Sequence, residues 1–302
     1  MTRLVGGIFC ALLLATALVA PVRAQSGTVT EVVGGLHSPR GLAFGAGGQL
    51  FVAQAGDATA AGSIIEILNP MAIIPNVRTI VSGLPTIGDE GEFVGVDGIS
   101  VVGNGVNSAL YGIMALSPQA TGNAAFGSLF KVNMAGQTQN VANVGSFDYQ
   151  WTADHSNLWI EFPDANPYAV LALPGHTYVA DAGANTLNEV HSNGTIDVLA
   201  YFPNSLIRDA VPTCIAKGPD GALYIGTLAL VENLVGFGPA ATVYRVDPSQ
   251  TDPTNYRRYS RSRHRGQPVS GRSTDARSDQ TATSTPRSSS PIPISAIRRE
   301  TS

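Results

Sequence analysis

The chain has 302 residues, of which 44% are hydrophobic and only 13% charged, against the quarter usual for soluble domains. Long charged helices and acidic solvating chains are thereby excluded, and there is apolar material enough for a large core. The net charge of −4 conceals two unlike segments. Residues 25–252 hold six basic and nineteen acidic residues, whereas residues 253–302 hold ten arginines, no lysine and three acids, and such asymmetry says more about partners than the total does.

Residues 1–24 read as an export signal. Arg3 precedes an apolar run from Leu4 to Ala20, and Val22-Arg23-Ala24 places acceptable residues at −3 and −1 for cleavage before Gln25. The alternative, a membrane anchor, would stretch this 17-residue run to its limit across a hydrocarbon core of about 30 Å. Cys10 has no lipid-anchor context. With the signal removed Cys214 is alone, so no internal disulfide forms, and its apolar neighbours predict a buried, inert thiol. The expected location is periplasmic or secreted, with no transmembrane anchor after cleavage.

A repeat organises residues 28 to about 258. Pro39–Ala53 and Pro212–Gly226 match with identical proline-to-aromatic spacing, Pro167–Ala180 is one residue shorter, and Val96–Ile113 is a weaker copy. Each reads as strand, glycine-rich turn, strand, with Gly47-Gly48, Pro174-Gly175 and Asp220-Gly221 supplying turn residues. A third apolar run follows in Ser63–Leu68, Gly127–Val132, Asn185–Val190 and Ala241–Val246, and a fourth in Arg78–Val81, Asn140–Val144 and Thr195–Tyr201. No useful amphipathic helix competes. The fold class is therefore all-β, a β-propeller with four recognisable four-stranded blades spaced 46 to 67 residues apart. The alternative is a β-sandwich with chance similarity. Thr28–Gly34 is expected to supply a strand to a last blade, and a family norm of five or six blades would leave the ring incomplete.

Asp164–Tyr168, Tyr178–Leu187 and Val211–Tyr224 resemble the ScyD/ScyE family of exported propeller proteins with NHL-like repeats, over about residues 30–250. That family is named for genes that accompany synthesis of an extracellular cyanobacterial sunscreen pigment, and many relatives occur without the pathway. The resemblance implies an exported propeller and assigns no catalytic residue.

Sorting connections by face separates short turns from long loops. Leu84–Gly95, Ala115–Phe126, Ser146–Asn166 and Leu228–Ala240 all fall on one face, which is the expected functional surface. Ser146–Asn166 carries Trp151, Trp159 and His155, suited to stacking on a sugar ring or flat pigment, or else to plugging the loop onto the propeller rim. Asp89, Glu90 and Glu92 in Leu84–Gly95 suit either a cation or a solvated acidic turn. At the starts of the inner strands lie Arg40, Asp97, Asn166 and Asp209, with Asp164, Asp181 and Asn185 bordering the same face. Carboxylates at one channel mouth, Asp97, Asp164 and Asp209 above all, suit a hard cation such as Ca²⁺.

Two functions from different classes follow. The first is a non-catalytic propeller that binds a small molecule, glycan or protein. The second is a metal-dependent lactonase-like or lyase-like enzyme. No Gly-x-Ser-x-Gly elbow, His-Glu-x-x-His, dinucleotide fingerprint or phosphate loop occurs. His37 and His155 are proton-transfer candidates by residue type alone. Asn193-Gly194-Thr195 matches a glycosylation sequon but reads as a hairpin turn, and the acidic residues 25–252 argue against nucleic acid.

From about Arg257 the composition turns to Arg, Ser, Thr, Pro and Gln, which predicts a disordered tail over 257–302 following a propeller domain over 25–256. One reading is a basic arm for anionic cell-surface polymer. The other is a shifted reading frame, which a propeller-like continuation in another frame beyond codon 256 would reveal.

Overall fold

The computed structural model describes residues 27–89, 92–158, 163–202, 204–205, 208–234, 236 and 240–250. Residues 1–24, expected to be an export signal, together with Trp159 and the arginine-rich residues 257–302, lie outside the described residues. Four antiparallel sheets form a four-bladed β-propeller. Blade 1 comprises β1 (Pro39–Phe44), β2 (Leu50–Gln54), β3 (Gly62–Ile67) and β4 (Val77–Leu84). A small hairpin, β5 (Ile87–Asp89) and β6 (Glu92–Val94), leads to blade 2, built of β7 (Val96–Val102), β8 (Ala109–Met114), β9 (Ser128–Asn133) and β10 (Thr138–Asn143), with α1 (Pro118–Thr121) between β8 and β9. After α2 (Val144–Asp154) comes blade 3, with β11 (Pro167–Leu173), β12 (His176–Asp181), β13 (Thr186–Val190) and β14 (Ile196–Tyr201). The short pair β15 (Asn204–Ser205) and β16 (Arg208–Asp209) precedes blade 4, which holds β17 (Pro212–Lys217), β18 (Leu223–Thr227), α3 (Leu230–Leu234) and β19 (Val243–Val246).

The turns form where the sequence supplies their residues. Gly48, Gly175, Gly194 and Gly221 close hairpins with φ between 82° and 86°, a region open to glycine at little cost. The Asn193-Gly194-Thr195 sequon is such a turn, with the Asn193 side chain accepting the Thr195 N–H at 3.0 Å.

Each inner strand begins with the same irregularity. The register slips by one residue after Pro39, Val96, Pro167 and Pro212, so Arg40, Asp97, Tyr168 and Thr213 are equivalent bulged residues. Such a bulge re-aims a side chain at the strand start. The N–H that follows each second strand then closes back: Ala55 to Ser38 O, Ala115 to Gly95 O, Ala182 to Asn166 O and Leu228 to Val211 O, all at 2.8–2.9 Å.

Blades pack in chain order, inner strand on inner strand, β1 on β7, β7 on β11 and β11 on β17. Phe51, Ala53 and Ile64 join Ile99, Leu110 and Phe130 between blades 1 and 2. Ile113 and Leu129 join Val170 and Val179 between blades 2 and 3, and Tyr178 and Leu187 join Leu223, Ile225 and Val246 between blades 3 and 4. Burying each such side chain contributes roughly 1.5–3 kcal/mol. Inner strands approach closely at Gly98, where a Cβ would stand 2.7 Å from Tyr168 O.

Four expectations need correcting. Thr28–Gly34 forms no strand; beside it Val33 and Leu36 lie against Val52, Ile65 and Ile67 of blade 1, where they replace water over an apolar sheet face. Blade 4 has three strands among the described residues. An 11-residue helix, α2, stands inside the long-loop face, started by the Asn143 side chain, which accepts the Ser146 N–H at 2.7 Å. Its apolar residues make no continuous stripe, so periodicity missed it. Cys214 is exposed, because among the described residues no strand lies over that side of β17. Among the described residues no helix is long and apolar enough to cross a membrane.

Candidate functional site

The long-loop face carries the residues singled out from the sequence, and most are engaged in tying blades together. The Arg40 guanidinium donates to Phe93 O, joining blade 1 to the strand that leads into blade 2. Asn166 Oδ1 accepts the Leu116 N–H at 3.0 Å, joining blades 2 and 3. Asn185 Nδ2 donates to Asp209 Oδ1 at 2.8 Å while its Oδ1 accepts the Val211 N–H at 2.7 Å, joining blades 3 and 4. Asn185 is fully buried with φ 57°, a conformation that asparagine tolerates better than most residues. Asp181 Oδ1 accepts the Asn166 and Ala184 N–H groups at 2.7 and 2.8 Å. These residues, which looked like a gathering of ligands, each link neighbouring blades from a different place: Arg40 at the bulge of β1, Asn166 just before β11, and Asn185 between β12 and β13.

The expected metal trio does not assemble. Among the described residues no three His, Cys, Asp or Glu side chains are grouped closely enough to hold a metal ion. Asp164 is occupied locally, its Oδ1 accepting the Ala165 N–H at 2.8 Å and burial pushing its pKa up. Asp209 belongs to the connection to blade 4, and its own N–H donates to Glu232 Oε2 at 3.1 Å. Asp97 stands apart from both. Burial raises its carboxyl to about 6 against the attraction of Arg40, and a long bond of 3.4 Å from the Gly95 N–H is its hydrogen-bond contact.

An acid pair missed in the sequence lies under α2. Asp148 accepts from Thr186 Oγ1 at 3.1 Å and from Asn188 Nδ2 at 2.7 Å, and its carboxyl lies against that of Asp181. Both residues are fully buried. Desolvation and the facing carboxylate push the pKa of Asp148 well up, and burial raises that of Asp181. Two buried carboxyls in contact do not both ionise, so the pair shares a proton, held mainly by Asp148, whose pKa is pushed up by burial and by the facing Asp181. This fits the two oxygens otherwise without a donor, Asp148 Oδ1 and Asp181 Oδ2. The sequence offered no signal, because Asp148 falls between Phe147 and Tyr149 in a segment read as a loop.

The aromatic cluster turns inward. Trp151 is buried against Val198 and Tyr201, with the His155 ring stacked at 4.3 Å between centroids. His155 Nδ1 is 2.8 Å from Trp151 O. The indole thus holds α2 on blade 3 and does not offer a face to a ligand. His37 lies 2.7 Å from Asp57 on the rim of blade 1.

An open cavity of about 350 Å³ lies between blades 1 and 2, running down from the long-loop face. Leu84, Pro85, Met114 and Phe130 form its apolar walls, and Ser128 and Asn140 supply polar groups. Its lining contains no ionisable side chain. It suits a neutral, mostly apolar small molecule that makes a few hydrogen bonds.

No known protein family matches the chain, and no curated protein matches it. Solved structures with a similar fold include a catalytically inactive virginiamycin B lyase from Staphylococcus aureus, 15% identical over 70% of this chain and 53% of the other, with a TM-score of 0.40. A hydrazine synthase from Kuenenia stuttgartiensis is 15% identical over 74% and 50%, TM-score 0.42. A gluconolactonase from Xanthomonas campestris is 10% identical over 63% and 54%, TM-score 0.38. The chain spans about half the length of these proteins. At such similarity they assign no activity here, and the propeller architecture rests on the four sheets themselves.

Proposed function

We propose that this is an exported, ScyD/ScyE-like propeller that binds a small neutral ligand without transforming it, in the cavity between blades 1 and 2. The observation that supports this reading is the cavity's lining, apolar walls with hydroxyl and amide groups and no ionisable side chain to act as acid or base or to activate a hydroxyl. General acid–base chemistry needs an ionisable group within hydrogen-bond reach of the reacting atoms. The acids of the same face serve mostly as acceptors for backbone N–H groups. The test uses a neutral, environment-sensitive naphthylamine dye. Its fluorescence should rise on binding, fall when a neutral competitor is added, and be lost in Ala125→Phe, which fills the cavity, but not in Trp151→Phe. A dye that binds both variants equally would sink the reading. Export is checked by mass spectrometry of the secreted chain, which should begin at Gln25.

A second reading, a lactonase-like or lyase-like enzyme, is favoured by Asp97, whose carboxyl at about 6 beside Arg40 suits proton abstraction near neutral pH. It requires that Asp97→Asn abolish turnover of a lactone panel while dye binding persists, and a metal-dependent form further requires stoichiometric metal in the purified protein.

A further inference from the structure

We propose that two copies of this chain associate head to tail, the free face of blade 4 in one copy seating on the free face of blade 1 in the other. The three interfaces within the chain are built alike. Ile99 and Val101 on β7 pack against blade 1, and Val170 on β11 packs against blade 2 with Ala172 buried two residues on. Counting from the bulge, Leu42 and Phe44 hold the same two places on β1. Ile99 and Val170 are 6% and 8% exposed, whereas Leu42 and Phe44 are 66% and 70% exposed.

The receiving side shows the same break. Phe51, Tyr111 and Tyr178 each lie in the interface with the following blade. Their counterpart Tyr224 shares its face of blade 4 with Gly226 and with Val243, which is 69% exposed. Among the described residues no strand of blade 4 packs broadly against blade 1. Val33 and Leu36 cover part of the free face of blade 1 over Val52, Ile65 and Ile67 but leave the inner-strand positions Leu42 and Phe44 open. That inner strip is where β1, β7, β11 and β17 meet one another within the chain.

The two free faces are therefore the two halves of an interface already present three times, and a second copy supplies each missing half. The contact joins unlike faces, so it closes if the rotation allows and otherwise extends. The blade 1 strip is apolar, and on blade 4 the charge of Arg245, which lies opposite Tyr224, is balanced within the chain by Asp220 at 2.8 Å, which suits an apolar surface better than a charged partner.

Sedimentation velocity on the full chain tests this, using Phe44→Asp and Val243→Asp at two exposed positions, with circular dichroism checking that each variant keeps the wild-type fold. The wild type should sediment as a dimer or larger. Each variant alone should be monomeric, its association weakened about thirtyfold or more, as for an interface hot spot. Mixing the two variants should restore a 1:1 dimer, because each keeps the face the other lacks. A monomeric wild type would overturn the proposal and leave these faces to residues 251–302 or a different protein. A variant that remains dimeric on its own would overturn it by showing that like faces pair, and a mixture that stays monomeric would overturn it equally.

Discussion

Asp148 on α2, Asp181 beneath it and Asp97 at the start of β7 are buried carboxyls whose raised pKa values tie stability to pH. Asp97 has a folded-state pKa raised to about 6 from 3.8, so the folded state holds more protons than the unfolded between those values. Stability from this group is present at low pH and is lost as pH rises to about 6. The substitution Asp97→Asn should leave stability at about pH 4 unchanged and raise it at about pH 7 by up to ~2 kcal/mol, as urea unfolding at the two pH values would measure. The Asp148–Asp181 pair acts in the same direction, since both pKa values are raised. Asp148→Asn keeps an acceptor for Thr186 and Asn188 and a donor for Asp181, and should cost less than about 1 kcal/mol. Asp148→Ala strands those partners and should cost about 2–4 kcal/mol. Equal losses in the two variants would refute the shared proton.

At the scale of strands, the propeller depends on backbone-to-backbone approach of its inner strands. Gly98→Ala sets a methyl 2.7 Å from both Tyr168 O and Ile113 Cγ2, so blades 2 and 3 must part. The expected loss is about 1–3 kcal/mol, the usual cost of overpacking, read as a lower denaturant midpoint. Strand positions were legible in the sequence to within a residue or two, because Pro39, Pro212 and the paired glycines mark the repeat. The candidate site was less so. Arg40, Asn166, Asn185 and Asp209 were visible as a recurring polar set, yet whether such a set binds a ligand or a neighbouring N–H depends on the distance between blades, which no local pattern encodes. The cavity was illegible for the same reason: Leu84 comes from blade 1 and Met114 and Phe130 from blade 2, and each reads by itself as core. Helix α2 was hidden because its hold on blade 3 comes from one acid and one indole, Asp148 and Trp151, and not from an apolar stripe.

For the molecule as a whole, the described residues join the four blades at three broad interfaces, so cooperativity should decay toward blades 1 and 4, as in repeat proteins. Hydrogen exchange of β17–β19 in the monomeric Phe44→Asp variant should be faster than that of β7–β9, which have blades on both sides. Uniform protection would argue for a closed unit. Exposed Cys214 on β17 gains a use from this geometry. It follows the bulge at the place of Gly41 and Gly98, the two glycines whose Cβ would strike the inner strand of the next blade. A bulky maleimide should therefore label it freely in isolated chains and slowly once another copy is seated, giving a built-in chemical reporter of whether blade 4 is covered.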